Sequence, residues 1–126
     1  MIDKLLLYVE DTPGAPGAAA WALGLARKLS CRVFAVAVLD ARGGPRGHGP
    51  PPEVEEKAWE QLYEIEDDAF QSDVRISLLL DQGKPLPRLL QLAASYEVEL
   101  IVVASDSRLP AGDLIRQGER PVVFVR

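Results

Sequence analysis

The chain has 126 residues, 48% of them hydrophobic and 26% charged, with a formal net charge of −5. That length fits one domain spanning 1–126 with a single buried core, and the acidic balance argues against a nucleic-acid partner. No apolar run reaches the ~18–20 residues of a membrane span, and the acid-flanked start, MIDKLLLYVED, lacks the pattern of a secretory signal. One cysteine, Cys31, and one histidine, His48, leave no material for an internal disulfide or a His/Cys metal cluster. The single cysteine also suits a reducing cytoplasm.

KLLLYVE (4–10) is a continuous apolar run of strand length, the pattern of a parallel strand covered on both faces. DTPGAP turns the chain, and GAAAWALGLARKL follows with Ala18, Ala22, Leu25, Ala26 and Leu29 on one face at helical spacing. CRVFAVAVLD (31–40) is the second strand. ARGGPRGHGPPP (41–52) is dense in glycine and proline and reads as a flexible internal loop. Pro52 then opens EVEEKAWEQLYEIEDDAF, an amphipathic helix with Val54, Ala58, Leu62, Ile65 and Ala69 as its stripe. From Glu53 to Asp73 nine acidic residues face one basic residue, Lys57, a local charge of −8. A solvated face is the simplest account of that charge; docking of a basic partner protein is the other.

VRISLLLD (74–81) is a third strand, and LPRLLQLAASYEV a third helix with Leu86, Leu89, Leu90, Ala93 and Tyr96 aligned. ELIVVAS (99–105) is the fourth strand. LPAGDLIRQG holds about two helical turns, with Gly118 expected as a left-handed cap. PVVFVR closes the chain as a fifth strand. Alternating β and α elements predict an α/β three-layer, flavodoxin-like domain: a parallel five-stranded sheet of order 3-2-1-4-5 with helices on both faces. In that order the switch point lies between strands 1 and 4, at their carboxyl ends. A ligand site there is built from Glu10, Asp11, Thr12, the stretch Ala104–Arg108 with Ser105, Ser107 and Arg108, and Val38 from the second strand. Asp11 or Thr12 is also suited to capping the first helix.

The chain resembles a universal stress protein domain over essentially its whole length. LLLYVEDTPGAPGAAAWALGLARKLSCRVFAVAVLD is similar to that family's opening strand–helix–strand, DQGKPLPRLLQLAASYEVELIVVAS to its third helix and fourth strand, and PVVFVR to its closing strand. The resemblance implies a small cytoplasmic stress-response protein, commonly a homodimer, from a family with one ATP-binding branch and one that does not bind it. The ATP-binding branch carries G-x2-G-x9-G-[ST] after the fourth strand and an aspartate at the end of the first. Its glycines let backbone N–H groups approach phosphate oxygens.

This sequence departs from the pattern at each point. Glu10 stands for the aspartate, and Ala104 and Ser107 replace the paired glycines, with Asp106 between them. Gly118 or Gly112 is misplaced for the third glycine, and Asp113 follows Gly112 where a hydroxyl belongs. A carboxylate within ~4 Å of a phosphate charge opposes it by about 4 kcal/mol at an effective dielectric near 20. The expectation is therefore a non-catalytic domain without catalytic residues, metal or cofactor, its nucleotide site degenerate. An adenine-nucleotide (ATP or AMP) sensor using Thr12, Ser105, Ser107 and Arg108 is the alternative. Lys84 after Gly83 does not make a phosphate-binding loop, because Leu78 and Pro85 occupy positions that need glycine and a hydroxyl. The apolar last strand lies at a sheet edge, which predicts a twofold dimer through Pro121, Val122, Val123, Phe124 and Val125.

Overall fold

The computed structural model of the chain describes residues 2–40 and 49–126. Of the expected loop at 41–52, residues 41–48 and with them His48 lie outside that description; 49–50 form a bend, and Pro52 already starts a helix. Nine elements alternate: β1 (Lys4–Tyr8), α1 (Ala15–Leu29), β2 (Arg32–Leu39), α2 (Pro52–Gln71), β3 (Ile76–Gln82), α3 (Pro85–Ser95), β4 (Leu100–Ala104), α4 (Ala111–Gln117) and β5 (Val122–Val125). All strand pairs are parallel, and the sheet order is the expected β3-β2-β1-β4-β5.

The unbroken apolar strands are explained by two cores, one on each face of the sheet. Leu5, Leu7, Val33, Ala35, Ala37, Leu100 and Val102 point to the face covered by α1 and α2. Leu6, Tyr8, Phe34, Val36, Ile101 and Val103 point to the other, against Leu89 and Ala93 of α3 and Leu114 of α4. Each fully buried leucine or valine contributes about 1.5–3 kcal/mol relative to exposure. On α1 the buried face is Ala18, Ala19, Ala22, Leu23 and Ala26, small enough to bring the helix close to the sheet.

The helix ends share one device. After α1, α2 and α3 a non-glycine residue takes left-handed backbone, Ser30 (φ 54°), Asp73 (φ 58°) and Glu97 (φ 54°). The next residue then donates its N–H back into the helix: Cys31 to the Ala26 carbonyl, Val74 to Ala69 and Val98 to Ala93. Each of those three residues is buried, so the turn also plants an apolar anchor. This is why β3 begins at Ile76 and not at Val74, whose N–H belongs to the helix end. The expectation for Gly118 is corrected here. Gly118 keeps a helical φ of −71°, and Glu119 takes the left-handed position at φ 54°. Glycine is required at 118 for space, since a Cβ would lie 2.7 Å from the Leu114 carbonyl oxygen.

Candidate functional site

Strands β1 and β4 part after the Leu7–Val102 register pair, and the chain leaves each toward opposite sides of the sheet. The switch point lies there by the strand order, and the residues around it fall into two regions. The first is a cleft of about 450 Å³ over the ends of β1 and β2, lined by Val9, Glu10, Asp11, Val38, Lys57, Gln61 and Arg108 among others. Its size lies within the range of small-molecule sites. Val38 is placed so that its peptide groups turn toward β1, past the last β1–β2 bond, from the Val9 N–H to the Val36 carbonyl at 2.7 Å.

Mutual contacts tie the cleft wall together. The Arg108 backbone N–H donates to Glu10 Oε2 at 3.0 Å, and its guanidinium Nη2 donates to the Asp11 carbonyl at 3.0 Å. Gln61 Nε2 donates to the Glu10 carbonyl at 3.1 Å. Lys57 Nζ sits 2.9 Å from Asp11 Oδ2. Glu10 and Asp11 thus point to different partners and make no acid–base pair. Among the described residues, Glu10, Asp11, Asp40 and Asp106 outnumber Lys57 and Arg108. Burial, reinforced by Glu10 and opposed by Arg108, pushes the Tyr8 hydroxyl above its ordinary pKa and keeps it protonated.

The second region is the start of α1, facing the turn after β4, and here the sequence expectation needs correction. Neither Asp11 nor Thr12 caps α1. The N-cap residue is Gly14, which offers no side chain, and the cap comes from across the switch point. Asp106 Oδ2 accepts the Gly14 N–H at 2.9 Å, while its Oδ1 accepts the Thr12 hydroxyl at 2.9 Å. One carboxylate thus takes the place an external anion would take at the positive end of this helix. The fit leaves no slack, because a Cβ at Gly14 would lie 2.6 Å from Asp106 Oδ1.

Of the residues singled out in the sequence, Glu10, Asp11, Val38 and Arg108 line the cleft; Thr12, Ser105 and Ser107 do not. Ser107 folds onto its own turn, its Oγ accepting the Leu109 N–H at 3.1 Å. The Ser105 N–H is spent on β5, donating to the Val125 carbonyl at 2.7 Å. Lys57 and Gln61 also line the cleft, although the sequence alone assigns them no role there. Their signal was helical spacing, since 54, 57, 58 and 61 share the face of α2 that overhangs β2.

Residues 1–125 match the family model described as the universal stress protein family. The chain belongs to that family. No curated protein matches it in sequence. Among solved structures, one from the universal stress protein family of Burkholderia pseudomallei is similar at 22% identity and TM-score 0.81, covering 98% of this chain and 96% of that one. A universal stress protein from Archaeoglobus fulgidus in complex with dAMP is 23% identical at TM-score 0.78, covering 100% of both chains. A family member from Arabidopsis thaliana with AMP bound is 14% identical at TM-score 0.74, covering 98% of this chain and 90% of that one. These likenesses establish the shared fold. Against the family's glycine-rich pattern, the turn after β4 in this member carries Ala104, Ser105, Asp106 and Ser107.

Proposed function

We propose that this universal stress protein domain is a non-catalytic protective or regulatory module of the cytoplasm whose switch point does not take a triphosphate. The observation that carries the reading is the Asp106 carboxylate on the Gly14 N–H and the Thr12 hydroxyl. A phosphate brought there meets a fixed negative charge, with a cost of about 1 kcal/mol in water and ~4 at an effective dielectric near 20. The turn from Ala104 to Ser107 also spends the Ser107 N–H internally, on the Ala104 carbonyl at 3.0 Å. Among the described residues, the cleft cations Lys57 and Arg108 are both held by Asp11, Lys57 on its carboxylate and Arg108 on its carbonyl. Absence of catalysis is supported by the lack of an aligned acid–base or nucleophile pair among the cleft residues described above. Among the described residues no group of three or more His, Cys, Asp or Glu is arranged to hold a metal ion, and no helix is long and apolar enough to cross a membrane.

The domain acts as a homodimer through β5 in this reading. Val122 to Val125 form an outer strand of the sheet, each partly exposed. Pro121 and Val125 turn their carbonyls inward, to Ile101 and Ser105, so the peptide groups of Val122 and Phe124 face outward. Sedimentation should give twice the monomer mass, and Val122→Pro, which removes an outward N–H, should give a monomer; a wild-type monomer at micromolar concentration refutes it.

A second reading, an adenine-nucleotide (ATP or AMP) sensor, is favoured by the persistence of the 450 Å³ cleft and by the AMP and dAMP in two relatives' structures. Thermal unfolding with millimolar ATP and magnesium separates the two. A ligand at one hundred times its dissociation constant adds about 2.7 kcal/mol of stability. No shift supports the proposed reading, and a saturable shift transfers support to the sensor.

A further inference from the structure

The outer flank of α2 carries a feature that the switch point does not use. Trp59, Tyr63, Glu66 and Phe70 follow one another at helical spacings of four, three and four, so they share one stripe. Trp59 and Tyr63 stack with ring centroids 5.5 Å apart. Tyr63 is 53% exposed and Phe70 86%, an unusual amount of aromatic surface to leave in water. The opposite flank, with Gln61, Glu64 and Asp68, faces α1 across a shallow depression. The aromatic flank therefore looks away from α1, toward the free edge of β3. Glu66, Asp67 and Phe70 share a second depression there with Val74 and Ile76.

That edge is open for pairing. Arg75 accepts the Val33 N–H and Gly83 donates to the Leu39 carbonyl, so odd-numbered residues of this strand bond β2. The peptide groups of Ile76, Leu78 and Leu80 consequently face outward. No strand pairs with them among the described residues. The run Ile76–Leu80 has no charge and no proline, the usual devices that protect an edge. Charge flanks the run at both ends, with exposed Arg75 before it, bonded to the Ser30 carbonyl, and Asp81 after it, whose Oδ1 accepts the Gln82 N–H at 2.8 Å.

We propose that this edge and the overhanging flank of α2 form a docking site for an extended, basic segment of a partner protein, which adds to the sheet beside β3. Charge selects the occupant. Within α2 eight acidic residues face one lysine, so a second copy of the chain would set two strongly acidic helices against each other. A strand alternating basic and apolar side chains instead directs every second side chain at Glu66, Asp67 and the aromatic rings, while its backbone bonds Ile76 to Leu80.

The test uses the full chain and a fluorescent peptide alternating arginine and valine, followed by anisotropy. Saturable binding is expected, weakening roughly tenfold in the double variant Tyr63→Ala/Phe70→Ala and by at least about fivefold on raising salt from 0.05 to 0.3 M. Both substituted side chains are exposed, and circular dichroism checks that the variant is folded. The same peptide N-methylated at alternate residues, which cannot complete the ladder, should bind at least about tenfold more weakly. Equal binding of the N-methylated peptide, equal binding of a glutamate–valine peptide, or no effect of the double variant would overturn the proposal. So would a self-association of this chain that the double variant abolishes, since the occupant would then be a second copy.

Discussion

Replacing Asp106 with alanine removes both bonds that tie the turn after β4 to the start of α1. The lost cap on the Gly14 N–H is worth about 1 kcal/mol, and the bond to the Thr12 hydroxyl adds up to ~1 kcal/mol more. Because Asp106 is exposed, water replaces part of each bond, and a net loss of about 1.5 kcal/mol is expected. With an unfolding entropy near 2.1 cal/mol/K per residue, that loss lowers the Tm by roughly 6 °C for a chain of this size. Urea unfolding followed by circular dichroism should show a lower midpoint with an unchanged slope. Thr12→Ala and the double variant complete a cycle in which the two changes couple by about 0.5–1 kcal/mol. A loss under ~0.3 kcal/mol, or strict additivity of the two changes within that margin, would refute the assignment of Asp106 as the clasp of the switch point.

Glu97 holds left-handed backbone at φ 54° with no glycine to ease it, so Glu97→Gly should stabilise the chain by about 0.5–1 kcal/mol; a destabilisation in urea titrations would count against the helix-end device. Burial pushes the Asp81 carboxyl up, but the Gln82 N–H and the Arg88 guanidinium at 2.6 Å outweigh it and hold its pKa below the ordinary value. Because the folded pKa is depressed, this stabilisation is present above about pH 4 and is lost as pH falls through the folded value. Arg88→Ala should therefore cost up to ~1 kcal/mol at pH 7, the pair being partly exposed, and the gap should close in acid; a gap independent of pH would contradict the pairing. Cys31 is 2% exposed and burial raises its pKa, so a thiol reagent at pH 8 should label it only on unfolding, and rapid labelling of the native chain would show an open core.

The frame of the fold was legible in the sequence because periodicity reports burial directly. LLLYV, VFAVAV and LIVVA admit only strands covered on both faces, and the helical stripes between them dictate crossovers. Strand ends were less legible: Val74 reads as strand by its chemistry but serves the end of α2 through a backbone bond. Gly118 departs from the expected cap for a related reason, since composition does not distinguish a glycine needed for φ from one needed for space. At the site, sequence spacing brought Thr12 and Asp106 to the same switch point. The direct bond between them was not readable, because it joins residues 94 apart and depends on the absence of a side chain at Gly14. Lys57, the one cation of an acidic helix, gained its meaning only when Asp11 was placed 2.9 Å away.

The central claim is that a carboxylate of the chain itself occupies the anion position at the start of α1. A crystal structure of protein purified without nucleotide and grown in millimolar ATP with magnesium tests it most directly. The account predicts Asp106 seated on Gly14 and Thr12, with no triphosphate along Ala104–Ser107. Density for phosphates in that turn, with Asp106 swung into solvent, would contradict it.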